Sequence, residues 1–363
     1  MKLAIIIDSL RGGGAEGNCV ILANKFVSLG WNIDVVVLSL KDSVWQTSLD
    51  TKVRLINLNV GHTRKSFFKL WNYIRVKKPQ SVLVFDHRLA VMLVIVRIFS
   101  TYRFKIFARN IGILSQKRKH QKSIYHKYLI DMLVRFFYSK VDKIIAQCKG
   151  MADDLKIYYA MPADRIKIIN NPINPEISEY LKDNMLSCAR KNYILCVGRL
   201  EPVKAFNYAI EMMPYLIKIY PEVRLKILGT GSLESELKKL AQKLGVFERV
   251  DFEGFREKPF KYYVDARMTL LTSLHEGFPN TILDSIALGT PVVAFDCDYG
   301  PREIIQNTVN GYLVKYEDAG DLLYKIRLTL DRKWERGSII DTAIRFSLQN
   351  VVSAYEELIS NVS

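Results

Sequence analysis

The sequence predicts an α/β protein built from two doubly wound, Rossmann-like domains. Its 363 residues are 49% hydrophobic and 25% charged, which is typical of a chain with packed cores. Short apolar runs alternate with segments of helical spacing along the chain, as expected for parallel strands buried on both faces. Near the middle, Asn170-Asn171-Pro172 and Asn174-Pro175 open a charged and polar stretch. We therefore expect a domain boundary there.

Twelve short apolar runs have the length and composition of buried strands. In the first half they are Leu3–Asp8, Ile33–Ser39, Val53–Leu58, Ser81–Phe85, Lys105–Ala108, Lys143–Gln147 and Ile166–Ile169. In the second half they are Tyr193–Val197, Arg224–Leu228, Val250–Glu253, Met268–Thr272 and Val292–Phe295. The expected domains are residues 1–172 and 192–345, joined by a linker over residues 173–191.

Composition also argues against several classes of protein. The chain has five scattered cysteines, Cys19, Cys148, Cys188, Cys196 and Cys297. None belongs to a Cys-x-x-Cys pair, which argues against a disulfide framework and a zinc site and favours a reducing compartment. The longest uncharged apolar run, Leu89–Val96, has eight residues, whereas a membrane span needs roughly 20. The run Leu3–Ile7 is followed by an acid and predicts a first strand, not a signal peptide.

The positive charge of the chain is concentrated in its first half. Residues 1–185 hold 30 Lys and Arg against 14 Asp and Glu, which accounts for the whole formal net charge of +16. From Gly61 to Lys127 there are 16 basic residues and one acid, Asp86, with aromatic residues interleaved. Such a stretch suits an anionic membrane, a nucleic acid, or a solvated face that aids solubility. Within it, residues 64–77 have the spacing of an interfacial helix or of a core-facing stripe with a basic outer face.

A glycine-rich loop after the first strand is a candidate ligand site. Gly12, Gly14 and Gly17 satisfy the spacing Gly-x-Gly-x-x-Gly ahead of an amphipathic helix, whose first amides can bind a negative group. The dinucleotide fingerprint turns immediately after its strand, however, whereas Ser9–Arg11 intervene here, and the acid Asp42 lies late. The loop therefore favours a phosphate or sugar contact over a dinucleotide site, and a turn without ligand is the third interpretation.

The exit from the first strand of the second half is a stronger signal. Gly198 frees the backbone at the carboxyl end of a parallel strand, which is where open α/β sheets bind ligands. Arg199 and Lys204 flank this exit. A guanidinium fork and a mobile ammonium together suit the oxygens of a diphosphate, unless both are ordinary surface cations.

The segment 273–294 has the pattern of strand, loop, helix and strand. Its loop carries Glu276, Pro279 begins the helix, and Gly289 stops it. Asp284 lies about one turn into that helix, so one carboxylate can reach a sugar at the helix mouth and the other ribose hydroxyls. Phosphate is expected at the positive end of the helix, against the backbone amides of Phe278, Asn280 and Thr281.

Together these segments resemble the retaining glycosyltransferases of family 4, which have the GT-B fold of two Rossmann-like domains facing across a cleft. The resemblance covers most of the chain. It rests on Gly13-Gly14-Ala15-Glu16, Ile169-Asn170-Asn171-Pro172, Val197-Gly198-Arg199-Leu200 with Lys204, Leu228-Gly229-Thr230-Gly231, Phe252-Glu253-Gly254-Phe255, residues 276–294 and Gly300-Pro301-Arg302-Glu303-Ile304.

The resemblance implies a role for each matched residue. Arg199 and Lys204 would neutralise the leaving diphosphate, and Glu276 would contact the transferred sugar, so these three are the implied catalytic residues. The implied donor site also includes Gly13, Gly14, Gly198, Gly254, Phe255, Gly277, Phe278, Asn280, Thr281 and Asp284. The implied acceptor-side residues are Glu16, Arg109 and Asn110. No metal and no other cofactor are expected.

Three positions depart from the family pattern. Asp284 stands where most members have Glu, so its ribose contact is expected to be longer, water-mediated or absent. Ala108-Arg109-Asn110 stands where many members have a histidine facing the sugar, and Ala205 replaces the glycine that follows the lysine. The histidines His87, His120 and His126 fit no motif.

The implied function is transfer of a hexose or N-acetylhexosamine, with retention, from a nucleotide sugar to a lipid-linked or cell-surface glycan. A UDP-linked donor is expected because Asp298–Glu303 resembles members that use UDP-galactose or UDP-N-acetylhexosamines. The expected place is the inner face of the cytoplasmic membrane, reached through the basic first half, and no nucleic acid is expected as a partner. The C-terminal helix, about residues 346–363, is expected to pack back on the first domain. The alternatives are a GDP-mannose-dependent mannosyltransferase, an NAD-dependent oxidoreductase and a basic membrane-binding adaptor.

Overall fold

A computed structural model of the protein describes residues 1–119, 132–184 and 189–361. The end of the basic stretch, with His120 and His126, and Cys188 lie outside the described residues. The chain divides into two compact units, of which the first comprises residues 1–172 and 349–363 and the second residues 173–348. Within the described residues, no helix is both long and apolar enough to cross a bilayer.

The first unit contains a seven-stranded parallel sheet of order β3-β2-β1-β4-β5-β6-β7. Its strands are β1 (Lys2–Ile7), β2 (Asn32–Val37), β3 (Arg54–Asn57), β4 (Ser81–Phe85), β5 (Lys105–Arg109), β6 (Lys143–Ala146) and β7 (Ile166–Ile168). Its helices include α1 (Gly14–Ser28), α2 (Phe67–Lys77), α3 (His87–Ile98), α4 (Leu114–Lys119), α5 (Lys149–Tyr159) and the C-terminal helix (Leu348–Ser360). The strand order reverses between β1 and β4, which in doubly wound sheets marks the ligand-binding crevice.

The second unit contains a six-stranded parallel sheet of order β10-β9-β8-β11-β12-β13. Its strands are β8 (Tyr193–Val197), β9 (Arg224–Leu228), β10 (Val250–Gly254), β11 (Met268–Leu271), β12 (Val292–Phe295) and β13 (Gly311–Val314). Its helices include α6 (Pro175–Asp183), α7 (Phe206–Ile219), α8 (Glu234–Lys243), α9 (Phe260–Asp265), α10 (Asn280–Ala287), α11 (Pro301–Ile304), α12 (Ala319–Asp331) and α13 (Arg336–Asp341).

The predicted fold class is confirmed, and each of the twelve predicted strands is present. The reason is visible in β1, where Leu3, Ala4, Ile5 and Ile6 are fully buried because strands pair on both sides and helices cover the sheet. Strand β13 was not predicted. It has four residues, follows the turn at Asn310, and pairs on one side with β12. A strand this short shows too little periodicity to be recognised.

Part of the segment expected as a linker is helical. Helix α6 begins at Pro175, and the side chain of Asn174 accepts a hydrogen bond from the Glu176 amide at 3.1 Å. An asparagine N-cap followed by proline at the first helical position is a helix start signal. The sequence analysis assigned the same two residues to the linker between the domains, because an Asn-Pro pair is typical both of linkers and of helix starts.

A buried arginine connects the first sheet to the C-terminal helix by a hydrogen bond. The Arg109 guanidinium is fully buried, donates to the Tyr355 hydroxyl and the Asn171 amide oxygen, and lies 5.6 Å from the ring centroid of Phe85. Tyr355 in turn packs edge-on against Phe26 of α1, with ring centroids 6.1 Å apart. Among the described residues no carboxylate pairs with Arg109, so these neutral oxygens and π-faces compensate a buried charge.

The Tyr355→Phe substitution tests whether the hydrogen bond from Arg109 to Tyr355 stabilises the fold. We expect the free energy of unfolding to fall by about 1.5–3 kcal/mol, because a hydrogen bond to a buried charged group is lost. Urea denaturation at pH 7 followed by tryptophan fluorescence measures the change. Tyr215→Phe, at a tyrosine that is 55% exposed, is the matched control and should shift the midpoint little. Equal midpoints for the two variants would contradict a stabilising role for the contact.

Candidate functional site

The candidate site lies in the second unit, where the loops after β8 and β9 are joined by backbone hydrogen bonds. The Gly198 amide donates to the last carbonyl of β9 at 2.9 Å, and the Leu200 amide donates to Thr230 at 3.0 Å. Gly229 has φ +138°, and a Cβ there would collide with the carbonyl oxygen of Gly198. Only glycine permits this approach, which fixes the backbone on both sides of Arg199.

A second connection joins the β8 loop to the loop after β11. Lys204 ends a 3-10 turn, and its backbone carbonyl accepts a hydrogen bond from the Thr272 hydroxyl at 2.9 Å. The Leu274 amide donates to the backbone carbonyl of Val203, the residue before Lys204, at 2.8 Å. The Lys204 ammonium consequently lies 2.6 Å from the Glu276 carboxylate, in an ion pair whose side chains are 18% and 13% exposed.

The loop after β12 holds Glu276 from the other side. Glu276 and Tyr299 form an isolated parallel bridge, and a Cβ at Gly300 would collide with the carbonyl oxygen of Gly277. Tyr299 has φ +87°, a backbone conformation that is rare for an aromatic residue and costs about 1–3 kcal/mol. Sequence reasoning used this loop only to choose a nucleotide and missed its positioning role. The Gly300-Pro301 pair was the available signal.

Arg199 differs from Lys204 in its surroundings. Its side chain is exposed, and within the part of the chain that the structure describes its guanidinium has no hydrogen-bond or ion-pair partner. On the next strand, the Gly254 carbonyl accepts from Gly229 at 2.8 Å, and Phe255 is 56% exposed. The predicted diphosphate site therefore offers one unpaired cation, Arg199, and one cation already paired with a carboxylate.

Helix α10 begins at Asn280 and ends ahead of Gly289, which has φ +73°, as the sequence predicted. Phe278 is buried and packs on Phe346 with ring centroids 5.5 Å apart, so its ring belongs to the core of the unit. The amides predicted to bind phosphate lie at the helix start and in the loop before it.

Asp284 lies on α10 and is partly buried. Burial raises the pKa of its carboxyl from 3.8 to about 7. No cation and no hydrogen-bond donor of the described residues contacts this carboxylate, which also contributes to the raised pKa of the buried Tyr263 hydroxyl. A carboxyl in this state is neutral for much of the population near pH 7 and can then donate a hydrogen bond.

The predicted residues of the first unit have local partners. Gly13 is the N-cap of α1, Gly14 is its first residue, and the Glu16 carboxylate folds back over Gly13, where a Cβ would meet it. This arrangement resembles a capping box, in which an acid three residues into the helix covers the free amides. An anionic ligand at this helix terminus would have to displace Glu16.

Arg109 and Asn110, which the resemblance places on the acceptor side, are both buried within the first unit. Arg109 is fully buried and donates a hydrogen bond to Tyr355 of the C-terminal helix, and its acceptor-side role stays a prediction. Asn110 is also fully buried, and neither amide atom of its side chain is hydrogen-bonded to a described residue. Sequence spacing alone does not show whether either side chain is buried or faces a ligand, because Arg109 ends β5 and Asn110 follows it directly.

No group of three or more histidine, cysteine or carboxylate side chains with metal-ligand geometry occurs within residues 1–119, 132–184 and 189–361.

Two family matches span nearly the whole chain. Residues 12–177 match the family described as Glycosyltransferase Family 4, and residues 181–346 match Glycosyl transferases group 1. The chain belongs to glycosyltransferase family 4. The protein is therefore a transferase. The match over residues 181–346 contains Arg199, Lys204 and Glu276.

Relatives and solved structures agree with this assignment. The glycosyltransferase is 26% identical to the N-acetylgalactosamine-N,N'-diacetylbacillosaminyl-diphospho-undecaprenol 4-alpha-N-acetylgalactosaminyltransferase of Campylobacter jejuni, over 91% of this chain and 90% of that one. Its fold is similar to that of the lipopolysaccharide outer core galactosyltransferase WaaB, with TM-score 0.75, 21% identity and 99% of both chains covered. It is also similar to Anabaena Alr3699/HepE in complex with UDP-glucose, with TM-score 0.80, 19% identity and 99% and 100% coverage.

The raised pKa of Asp284 predicts a pH-dependent cost to stability. Because the pKa is higher in the folded state than in the unfolded chain, stability falls as pH rises from about 4 and the cost is complete above about 7. Asp284→Asn removes the titrating charge. We expect its stability advantage over the wild type to be about 1 kcal/mol or more greater at pH 8 than at pH 5.

Urea denaturation at both pH values measures this difference, with Asp341→Asn at an exposed aspartate of α13 as the control. If the Asp284→Asn advantage is the same at pH 5 and pH 8, the carboxyl is not destabilised by burial.

Proposed function

We propose that this glycosyltransferase moves a hexose or N-acetylhexosamine from a UDP-sugar to a lipid-linked or cell-surface glycan, with retention at the anomeric carbon. The observation that carries the proposal is the arrangement of two cations and a carboxylate, Arg199, Lys204 and Glu276, at the carboxyl edge of the second sheet. This is the edge at which parallel α/β sheets bind ligands.

The chemistry follows from the leaving group. Breaking the bond between the anomeric carbon and the diphosphate oxygen builds negative charge on phosphate, which Arg199, Lys204 and the first amides of α10 stabilise in the transition state. These groups supply the neutralisation without a metal ion. Glu276 accepts hydrogen bonds from the sugar. The acceptor hydroxyl oxygen bonds to the anomeric carbon on the face that the diphosphate leaves, and its proton goes to a phosphate oxygen.

Two relatives support the choice of substrates. The Campylobacter jejuni relative is named for transfer of N-acetylgalactosamine to a glycan on diphospho-undecaprenol, which favours an N-acetylhexosamine and a lipid-linked acceptor. The Anabaena structure holds UDP-glucose in the same fold, which favours UDP. A GDP-mannose-dependent reaction is the alternative that a nucleotide comparison decides.

Arg199→Ala and Lys204→Ala test the diphosphate site. We expect each to lower kcat/KM for the UDP-sugar at least about 100-fold, because each removes charge stabilisation from the leaving group, while the fold stays intact. Lys218→Ala, at an exposed lysine of α7, is the control and should retain activity. UDP should raise the melting temperature and GDP should not.

Near-normal turnover by Arg199→Ala or Lys204→Ala would contradict the diphosphate site. A rise in melting temperature with GDP and not with UDP would indicate a GDP-sugar as the donor.

We further propose that the first unit places the enzyme on an anionic membrane at the inner face of the cytoplasmic membrane, where a lipid-linked acceptor is accessible. On α2, Leu70 and Ile74 are fully buried, whereas Phe68 is 77% exposed. Phe68 stacks edge-on with Phe67, which stacks edge-on with Phe99, itself 66% exposed. The helix thus has a core-facing stripe, and its exposed aromatic patch supports the interfacial interpretation beside it.

Charge complementarity supports an anionic membrane as the partner of this aromatic patch. The basic residues of α2 and the turn before it are Arg64, Lys65, Lys69, Arg75 and Lys77. Each basic residue near an anionic bilayer contributes about 1 kcal/mol, and exposed aromatic rings partition into the headgroup region. A duplex nucleic acid has no apolar phase for these rings.

Sedimentation with vesicles tests the membrane contact. Wild-type protein should bind vesicles containing phosphatidylglycerol and leave phosphatidylcholine vesicles unbound, and Phe68→Ser with Phe99→Ser should weaken binding about tenfold. Tyr324→Ser, at a tyrosine of the second unit that is 55% exposed, is the control. Undiminished binding by the double variant would exclude the aromatic patch as the contact.

A further inference from the structure

In the ion pair between Lys204 and Glu276, the carboxylate already binds a cation that the leaving diphosphate requires. The ammonium and the carboxylate are 2.6 Å apart, and both side chains are largely shielded from water, which strengthens their attraction. Arg199 is exposed and without a partner among the described residues. A nucleoside diphosphate that enters this site therefore meets one open cation and one that must leave a carboxylate.

The two side chains can exchange partners without movement of the backbone. The backbone of Lys204 is held by Thr272, and that of Glu276 by its bridge to Tyr299. The Lys204 stem passes close to Gly198, where an added Cβ would lie 3.2 Å from Cε. A lysine on a fixed backbone can still turn its terminal torsions and redirect the ammonium by several ångströms.

We propose that Glu276 competes with the nucleotide for Lys204, so that the site favours the intact donor over the nucleoside diphosphate product. This inference rests on the proposed function. When a nucleotide sugar binds, its hydroxyl groups donate to the Glu276 carboxylate and compensate for the lost ammonium. After transfer only the nucleoside diphosphate remains. The hydroxyls of the transferred sugar no longer bind Glu276, so the carboxylate pairs with Lys204 again. The carboxylate that orients the sugar therefore also promotes release of the product.

Calorimetric titration of UDP into the full-length protein tests the competition. Glu276→Gln keeps the shape of the side chain and removes its charge, so UDP affinity should rise three- to tenfold. Lys204→Ala should weaken UDP binding, and Glu276→Gln added to Lys204→Ala should then change the affinity less than twofold. Asp341→Asn is the matched control, because it removes an exposed carboxylate of the same unit that belongs to no part of the proposed donor site, and it should change UDP affinity less than twofold. Glu276→Ala replaces Glu276→Gln if the latter does not fold.

The outcomes separate competition from general charge repulsion. Unchanged or weaker UDP binding by Glu276→Gln overturns the competition while leaving the diphosphate site in place. An equal gain in the presence and absence of Lys204 also overturns it, since removal of any nearby negative charge would then suffice. If Lys204→Ala binds UDP as tightly as the wild type, the diphosphate site itself is wrong.

Discussion

The close approach of the loops that follow β8, β9 and β11 determines where the charged groups of the proposed donor site lie. Gly229 admits the carbonyl of Gly198, and Thr272 holds the carbonyl of Lys204. Each contact is a backbone constraint, so the cations extend from fixed points. Positioning of this kind allows a site to stabilise charge as it develops, without reorganisation during the reaction.

The buried cation of the first unit, Arg109, has different surroundings. Among the described residues it has no carboxylate partner; Tyr355 and Asn171 accept hydrogen bonds from its terminal nitrogens, the rings of Phe85 and Tyr355 lie beside its guanidinium, and its Nε has no hydrogen-bond partner. Lys204, by contrast, is paired with a carboxylate, in a site whose arginine, Arg199, has no partner within the described part of the chain. Two cations near the carboxyl ends of parallel strands thus differ in what surrounds them, although their places in the topology are similar.

Much of the fold was predictable because buried parallel strands give continuous apolar runs, and α10 is bounded by Pro279 and Gly289. Strand β13 and helix α6 were not, since a four-residue edge strand and an Asn-Pro pair carry weak or ambiguous local signals. At the site, motif resemblance selected Lys204 and Glu276. Their 2.6 Å contact joins residues 72 apart in sequence and depends on loop hydrogen bonds that no local pattern encodes. The burial of Arg109 depends in the same way on a distant helix.

The most direct test of the donor site is a crystal structure of the protein with an intact UDP-sugar or a non-hydrolysable analogue. The diphosphate oxygens should lie within hydrogen-bond distance, about 2.7–3.2 Å, of the side chains of Arg199 and Lys204. Glu276 should face the sugar and no longer pair with Lys204. A nucleotide bound instead at the glycine loop before α1, with the Lys204–Glu276 ion pair intact, would contradict a donor site in the second unit.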